Sequence, residues 1–229
     1  MPNWTTNRVV IEGDESTLNN IKEFLQTGEQ LFDFNKVIPM PDELNVVAGG
    51  IMDEAIKIAH TRKGSVKRAE LMSKITLPYD LSMGGSMNIK YGPALLNTED
   101  DVVALGKIYI NNEKKYGYSN WYDWRNANWD TKWNANSCQI DTTEAGQLSY
   151  LFCTAWCEPT AVFIALSKKY PDVVITNYAN YEDPEPWRTF VTKFVNGEVT
   201  SQTDGIDEDA KAAYDCLNDD SEEEGTDNA

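Results

Sequence analysis

A strand and a helix open this chain, but the strand–helix–strand that would complete their sheet begins only after residue 136. In Asn7-Arg8-Val9-Val10-Ile11-Glu12, Val9 and Ile11 fall on one face of a strand and Val10 on the other, and Gly13 ends it. Asp14 or Ser16 then caps a helix in which Leu18, Ile21, Phe24 and Leu25 form one apolar stripe, closed by Gly28. The strand pattern resumes at Ser137 to Asp141 and at Gln147 to Thr154, where Leu148, Tyr150 and Phe152 alternate with Leu151 and Cys153. Pro159 takes a first helical position, Thr160 to Tyr170 forms the helix, and Pro171 stops it. Val173 to Tyr178 reads as a strand, and Trp187 to Val195 and Glu198 to Ser201 are joined by Asn196-Gly197, a two-residue hairpin signal. A βα half separated from a βαβ half by a long interruption predicts an α+β fold. It is a ferredoxin-like antiparallel sheet with helices on one face, interrupted by a large helical insertion.

The interruption has its own texture. LFDFNKVIPMPDEL carries Pro39 and Pro41, which bar a central strand and predict an extended segment leaving the sheet. Ile51 to Thr61 and Val66 to Ile75 read as short helices, and LSMGGSMNIKYGP as a Gly-rich loop. Asn97 or Thr98 caps a longer helix with Val102, Leu105, Tyr109 and Tyr116 on one face, ended by Gly117. Ser119 is expected to cap the next, with Trp121, Trp124 and Trp129 on one side. The expected organisation is a discontinuous sheet domain over residues 1–43 and 136–203, a mainly helical insertion over 44–135 packed on it, and a tail over 204–229.

Charge narrows the partners. Lys and Arg number 20 against 37 Asp and Glu, a net charge of -17, which repels phosphate backbones and anionic membranes and disfavours nucleic acid as a partner. The surplus is not evenly spread: Asp204 onward holds eleven acidic residues against Lys211 alone. Residues 207–218 are expected to form a short helix, with the rest of the tail solvated; Asp219, Asp220, Glu222, Glu223 and Glu224 are its densest acidic run and a candidate interaction segment. No run of residues is apolar enough for a membrane helix and the first residues lack a secretory pattern, so the expected location is the cytoplasm, with no membrane partner.

The residues offer little catalytic chemistry. Cys138, Cys153, Cys157 and Cys216 are expected to be free thiols in a reducing compartment. The spacing of Cys153 and Cys157 invites a zinc reading, but a second pair is missing and the one histidine, His60, is far away in sequence, so no metal is expected. No phosphate-binding loop or dinucleotide motif accompanies Gly49-Gly50 or Gly84-Gly85, so neither a cofactor nor a catalytic set is expected. The densest unusual segment is YGYSNWYDWRNANWDTKWNA, residues 116–135, with four Trp and three Tyr. Its rings suit either a stacking platform or the seam between insertion and sheet, and packing is the favoured reading. Trp121, Trp124, Trp129, Trp133 and Trp156 are the candidate ligand or partner surface.

MPNWTTNRVVIEG, FDFNKVIPMP, YGYSNWYDWRNANWDTKWNA and FCTAWCEPTAVFIALSKKYPDVVITNYANYE occur in that order. Together they resemble the YubB ferredoxin-like domain family, uncharacterised proteins of bacteriophages and conjugative plasmids. The chain has Thr5 where that family has Cys, Asp130 where it has Gly, and Cys157-Glu158 where it has Ser-Pro. The second departure bears on the turn between Trp129 and Lys132, because Asp tolerates left-handed backbone less well than Gly. The resemblance implies an accessory protein of a mobile element and supplies no catalytic residues. The function expected on this footing is non-enzymatic binding to an unidentified host protein in the host cytoplasm, with counter-defence as its sharp form. The alternatives are a small-ligand or enzymatic domain using a Trp-rich pocket between insertion and sheet, and nucleic-acid binding on the sheet face helped by Lys63, Lys67, Arg68 and Lys74.

Overall fold

The computed structural model describes residues 3–81, 91–141, 145–181 and 189–204. It divides into two compact units, one of residues 1–39 with 128–229 and one of residues 40–127.

The first unit is built on a six-stranded antiparallel sheet. Its strands are β1 (Trp4–Glu12), β4 (Asn136–Ile140), β5 (Gln147–Ala155), β6 (Val174–Tyr181), β7 (Thr189–Val195) and β8 (Glu198–Asp204), in the spatial order β4-β5-β1-β6-β7-β8. Helix α1 (Glu15–Leu25) follows β1 and helix α7 (Thr160–Lys169) joins β5 to β6. With β1 central between β5 and β6, this is the ferredoxin-like arrangement, extended at one edge by the β7–β8 hairpin. The hairpin turns on Asn196 (φ 49°) and Gly197 (φ 83°), the paired left-handed residues that match strand twist.

Register explains which face holds the core. Val9 lies opposite Tyr150 and Asn177, and Ile11 opposite Leu148 and Ile175, so alternate residues of three strands point the same way. Phe163 of α7 meets Phe194 of β7 at 5.3 Å between ring centroids, which fixes α7 to that face, and α1 buries Leu18, Ile21 and Leu25. Asp14 caps α1 by accepting from the Thr17 backbone N–H. The segment expected to leave the sheet as extended chain instead forms a short helix, α2 (Phe34–Val37). The Asp33 carboxylate accepts from the Asn35 backbone N–H and starts the turn before the prolines end it. Phe32 just before it is fully buried, with ring centroids 5.2 Å from Tyr150 and 5.3 Å from Phe152.

The second unit holds α3 (Met52–His60), α4 (Val66–Met72), α5 (Glu99–Tyr116), most of α6 (Trp121–Trp129) and a two-stranded ribbon of β2 (Tyr79–Asp80) and β3 (Leu95–Leu96). Its core gathers Val46, Ala55, Ile58, Leu96, Val102, Leu105 and Tyr109. Thr98 and Asp101 close a reciprocal capping box on α5, and Gly117 ends it at φ 77°. Asn120, not Ser119, caps α6: its side-chain oxygen accepts from the backbone N–H groups of Tyr122 and Asp123. Ser119 turns back instead and donates to Glu113. The Gly-rich stretch at 82–90 and the tail from residue 205 lie outside the described residues.

Candidate functional site

Two arrangements at one end of the first unit's sheet stand out, and they adjoin in the sequence Trp156-Cys157-Glu158 between β5 and α7. The first is a buried polar network. Asn7 sits in phase with Val9 and Ile11, and Asn177 in phase with Ile175 and Ala179, so both amides enter the apolar side of the sheet. Burying an amide is costly unless it is paired. Asn7 donates to the Thr154 hydroxyl at 2.8 Å and to the Thr5 carbonyl at 3.0 Å. Asn177 donates to Asn7 at 3.2 Å and to the Glu158 carboxylate at 2.8 Å, while the Thr192 hydroxyl donates to the other Glu158 oxygen at 3.2 Å. Glu158 is buried, and the groups on it are neutral.

Burial therefore raises the Glu158 carboxyl above its ordinary value, with hydrogen bonds from Asn177, Thr192 and Thr160 opposing and the Asp130 charge adding to the rise. Burial also lifts the neighbouring Tyr181 phenol to about 12 and raises the Cys157 thiol. The thiol donates to the Asp130 carbonyl and stays protonated, which suits a structural role better than nucleophilic attack. A buried carboxyl whose value rises on folding makes stability depend on pH. Because folding raises the Glu158 value, its stabilising share is full below about 4.5 and is lost as pH rises through the folded value. Urea unfolding of Glu158→Gln is expected to remove this dependence. The difference between variant and parent should grow in the variant's favour above pH 4.5, by at most about 1.4 kcal/mol per pH unit, and then level off.

The second arrangement is aromatic and reaches the surface. The Lys132 Nζ lies over the Trp133 ring at 4.0 Å and over the Trp156 ring at 4.2 Å from their centroids, and Trp133 meets Trp4 at 5.5 Å. Trp156 is 43% exposed and has φ 75°, a left-handed backbone that costs an L side chain about 1–2 kcal/mol. Its backbone N–H donates to the Asn3 carbonyl at 2.9 Å, which holds the conformation. Asp130, where a Gly would turn more easily, takes φ 64°. Its carboxylate accepts from the Ala161 backbone N–H at 2.8 Å, so the side chain that makes the turn costly also caps the first turn of α7.

The five candidate tryptophans therefore part company. Trp133 and Trp156 converge on one lysine. Trp129 is fully buried, edge-on to Phe34, and donates from Nε1 to the Ile38 carbonyl at 2.9 Å. Trp121 and Trp124 belong to the second unit, where Trp124 is buried and Trp121 packs edge-on to Tyr122 under the Arg125 guanidinium. Asp219, Asp220, Glu222, Glu223 and Glu224 lie outside the described residues. Of the basic cluster, Arg68 is buried and ion-paired with Glu99 at 2.6 Å, and Lys63 pairs with Asp100 at 3.1 Å. Those cations tie the α4 region to the start of α5. Trp4 and the Glu158 network were not singled out from sequence. The polar residues set in apolar phase at Asn7 and Asn177 were the available signal for the network.

Among the described residues no helix is long and apolar enough to cross a membrane, and no group of three or more His, Cys, Asp or Glu is placed to hold a metal ion.

Residues 128–226 match the family model described as the ferredoxin-like domain in Api92-like protein. This supports the fold and corrects the resemblance drawn from the motifs: the matching family is the Api92-like one, not the YubB family. The bacteriophage and plasmid origin rested on that resemblance and falls with it. Among solved structures, the crystal structure of protein Api92 from Yersinia pseudotuberculosis aligns with a TM-score of 0.48 at 10% identity, covering 90% of this chain and 99% of that chain. A search of curated proteins returned no match.

Proposed function

We propose that this chain is a non-enzymatic binding protein that acts in the cytosol and engages a basic protein partner through the Trp4, Trp133 and Trp156 surface of its ferredoxin-like unit. The observation that carries the reading is Trp156, a large ring left 43% exposed on a backbone in the left-handed region. Strain of that kind persists where it serves a site, and exposed tryptophans are the residues that most often dominate protein interfaces. The net charge of -17 favours a partner of opposite sign. The Cys157 thiol donates to the Asp130 carbonyl, a contact of the reduced form that suits a reducing compartment.

Trp156→Gly separates binding from folding, because glycine suits φ 75° and keeps the backbone N–H that bonds Asn3. Its stability is expected to stay within about 1 kcal/mol of the parent. Its affinity for a protein recovered with the full chain from its native cells should fall roughly thirtyfold or more, the scale of an interface hot spot of about 2 kcal/mol. Val66→Ala, at a side chain 88% exposed in the second unit, should leave that affinity unchanged. A Trp156→Gly chain that keeps its partner within about threefold, or a parent chain that recovers none, overturns the reading.

A further inference from the structure

The same tryptophans carry a more specific chemistry. We propose that Trp133 and Trp156 form a cation-binding cleft that the chain fills with its own Lys132, and that the partner enters by displacing this lysine with an alkylammonium or guanidinium side chain. The inference rests on the binding surface just described and names what it recognises.

Two indole faces converge on one Nζ at 4.0 and 4.2 Å, so the negative faces of both rings are directed at the same positive charge. Trp4 packs on Trp133 with ring centroids 5.5 Å apart, which steadies that wall. The other wall is set by the backbone, since Trp156 at φ 75° is tied to Asn3 and Asp130 at φ 64° is tied to α7 through Ala161. These ties set the direction in which Trp156 leaves the chain toward Trp133, whereas Lys132 is a flexible four-carbon stem whose head can swing into water. A lysine on a solvent-accessible cleft is an exchangeable ligand: it covers the rings while the site is empty and competes with any cation that arrives. The net charge of -17, most of it in the tail from Asp204, favours a cationic partner over an anionic one.

Removing the occupant should reveal the site. Tetramethylammonium and N-acetylarginine amide serve as probes, followed by the indole N–H resonances of Trp133 and Trp156. Lys132→Ala is expected to bind the probes at least tenfold more tightly than the parent, since Lys132 then no longer competes for the two indole faces. Lys132→Met carries the same loss of charge but fills the cleft, and should bind no better than the parent. Adding Trp156→Gly to Lys132→Ala should abolish the gain. Equal titrations for Lys132→Ala and Lys132→Met, or a gain that survives Trp156→Gly, overturn the proposal. If the probes fail while Trp156→Gly still loses its protein partner, the surface binds without a cation. If the probes succeed while Trp156→Gly keeps its partner, the cleft exists and the partner binds elsewhere.

Discussion

Replacing Gly106 with alanine is expected to destabilise the second unit by about 3 kcal/mol or more, against the sign that helix propensity alone would give. In the middle of α5 an alanine ordinarily gains close to 1 kcal/mol over glycine. Here a Cβ on Gly106 would run into the Ala55 carbonyl oxygen and stand 2.9 Å from the Ala59 Cβ. The nearest obstacle is the backbone of α3, which has no rotamer to give. The two helices must move apart, and the core that includes Ala55, Ile58, Val102 and Leu105 loses its packing with them. Ala59→Gly would remove only the Cβ contact and leave the carbonyl in place, so the double variant should recover little. Urea unfolding together with hydrogen exchange on the amides of α3 and α5 checks this. A Gly106→Ala chain as stable as the parent would show that the helix crossing is looser than its backbone contact implies.

Phe32→Ala is expected to cost about 4 kcal/mol, within the range for emptying a fully buried phenylalanine site. The ring lies at the centre of an aromatic cluster, with centroids 5.8 Å from Phe34, 5.2 Å from Tyr150, 5.3 Å from Phe152 and 6.4 Å from Phe163. Three of these four meet it edge to face, the arrangement that adds to plain burial. Its removal leaves β5, α2 and α7 facing a common void that none can close alone. Phe32→Leu should cost roughly a third as much, because most of the volume stays filled. Thermal and urea denaturation of the two variants gives the comparison. A cost below about 1 kcal/mol for Phe32→Ala would mean that the cluster collapses around the gap.

Where local patterns and global fold agree, the sequence alone already carried the structure. The alternation of Val9 and Ile11, the capping of α5 by Thr98 with Gly117 at its end, and Asn196-Gly197 each act over a few residues through sterics and hydrogen bonding. The order strand, helix, long interruption, strands, helix, strand was enough for a ferredoxin-like sheet, because so few topologies close that pattern. Short-range logic failed at LFDFNKVIPMP: prolines legible as strand breakers concealed that Asp33 would start a helical turn and that Phe32 would anchor the core.

The site was less legible for the same reason. A tryptophan-rich segment announces large rings without saying which are walls and which are filler. That depends on residues far away in the chain: Ile38 accepting from Trp129, and Trp4 and Trp156 arriving beside Trp133 from β1 and from the turn after β5. Composition and periodicity determined the fold class and the acidic balance, because both are sums over local preferences. The burial of Glu158 among Asn7, Asn177 and Thr192, and the convergence of two indoles on Lys132, were decided only in three dimensions. Desolvation and ring geometry act between neighbours in space, and sheet register brings those neighbours together from opposite ends of the chain.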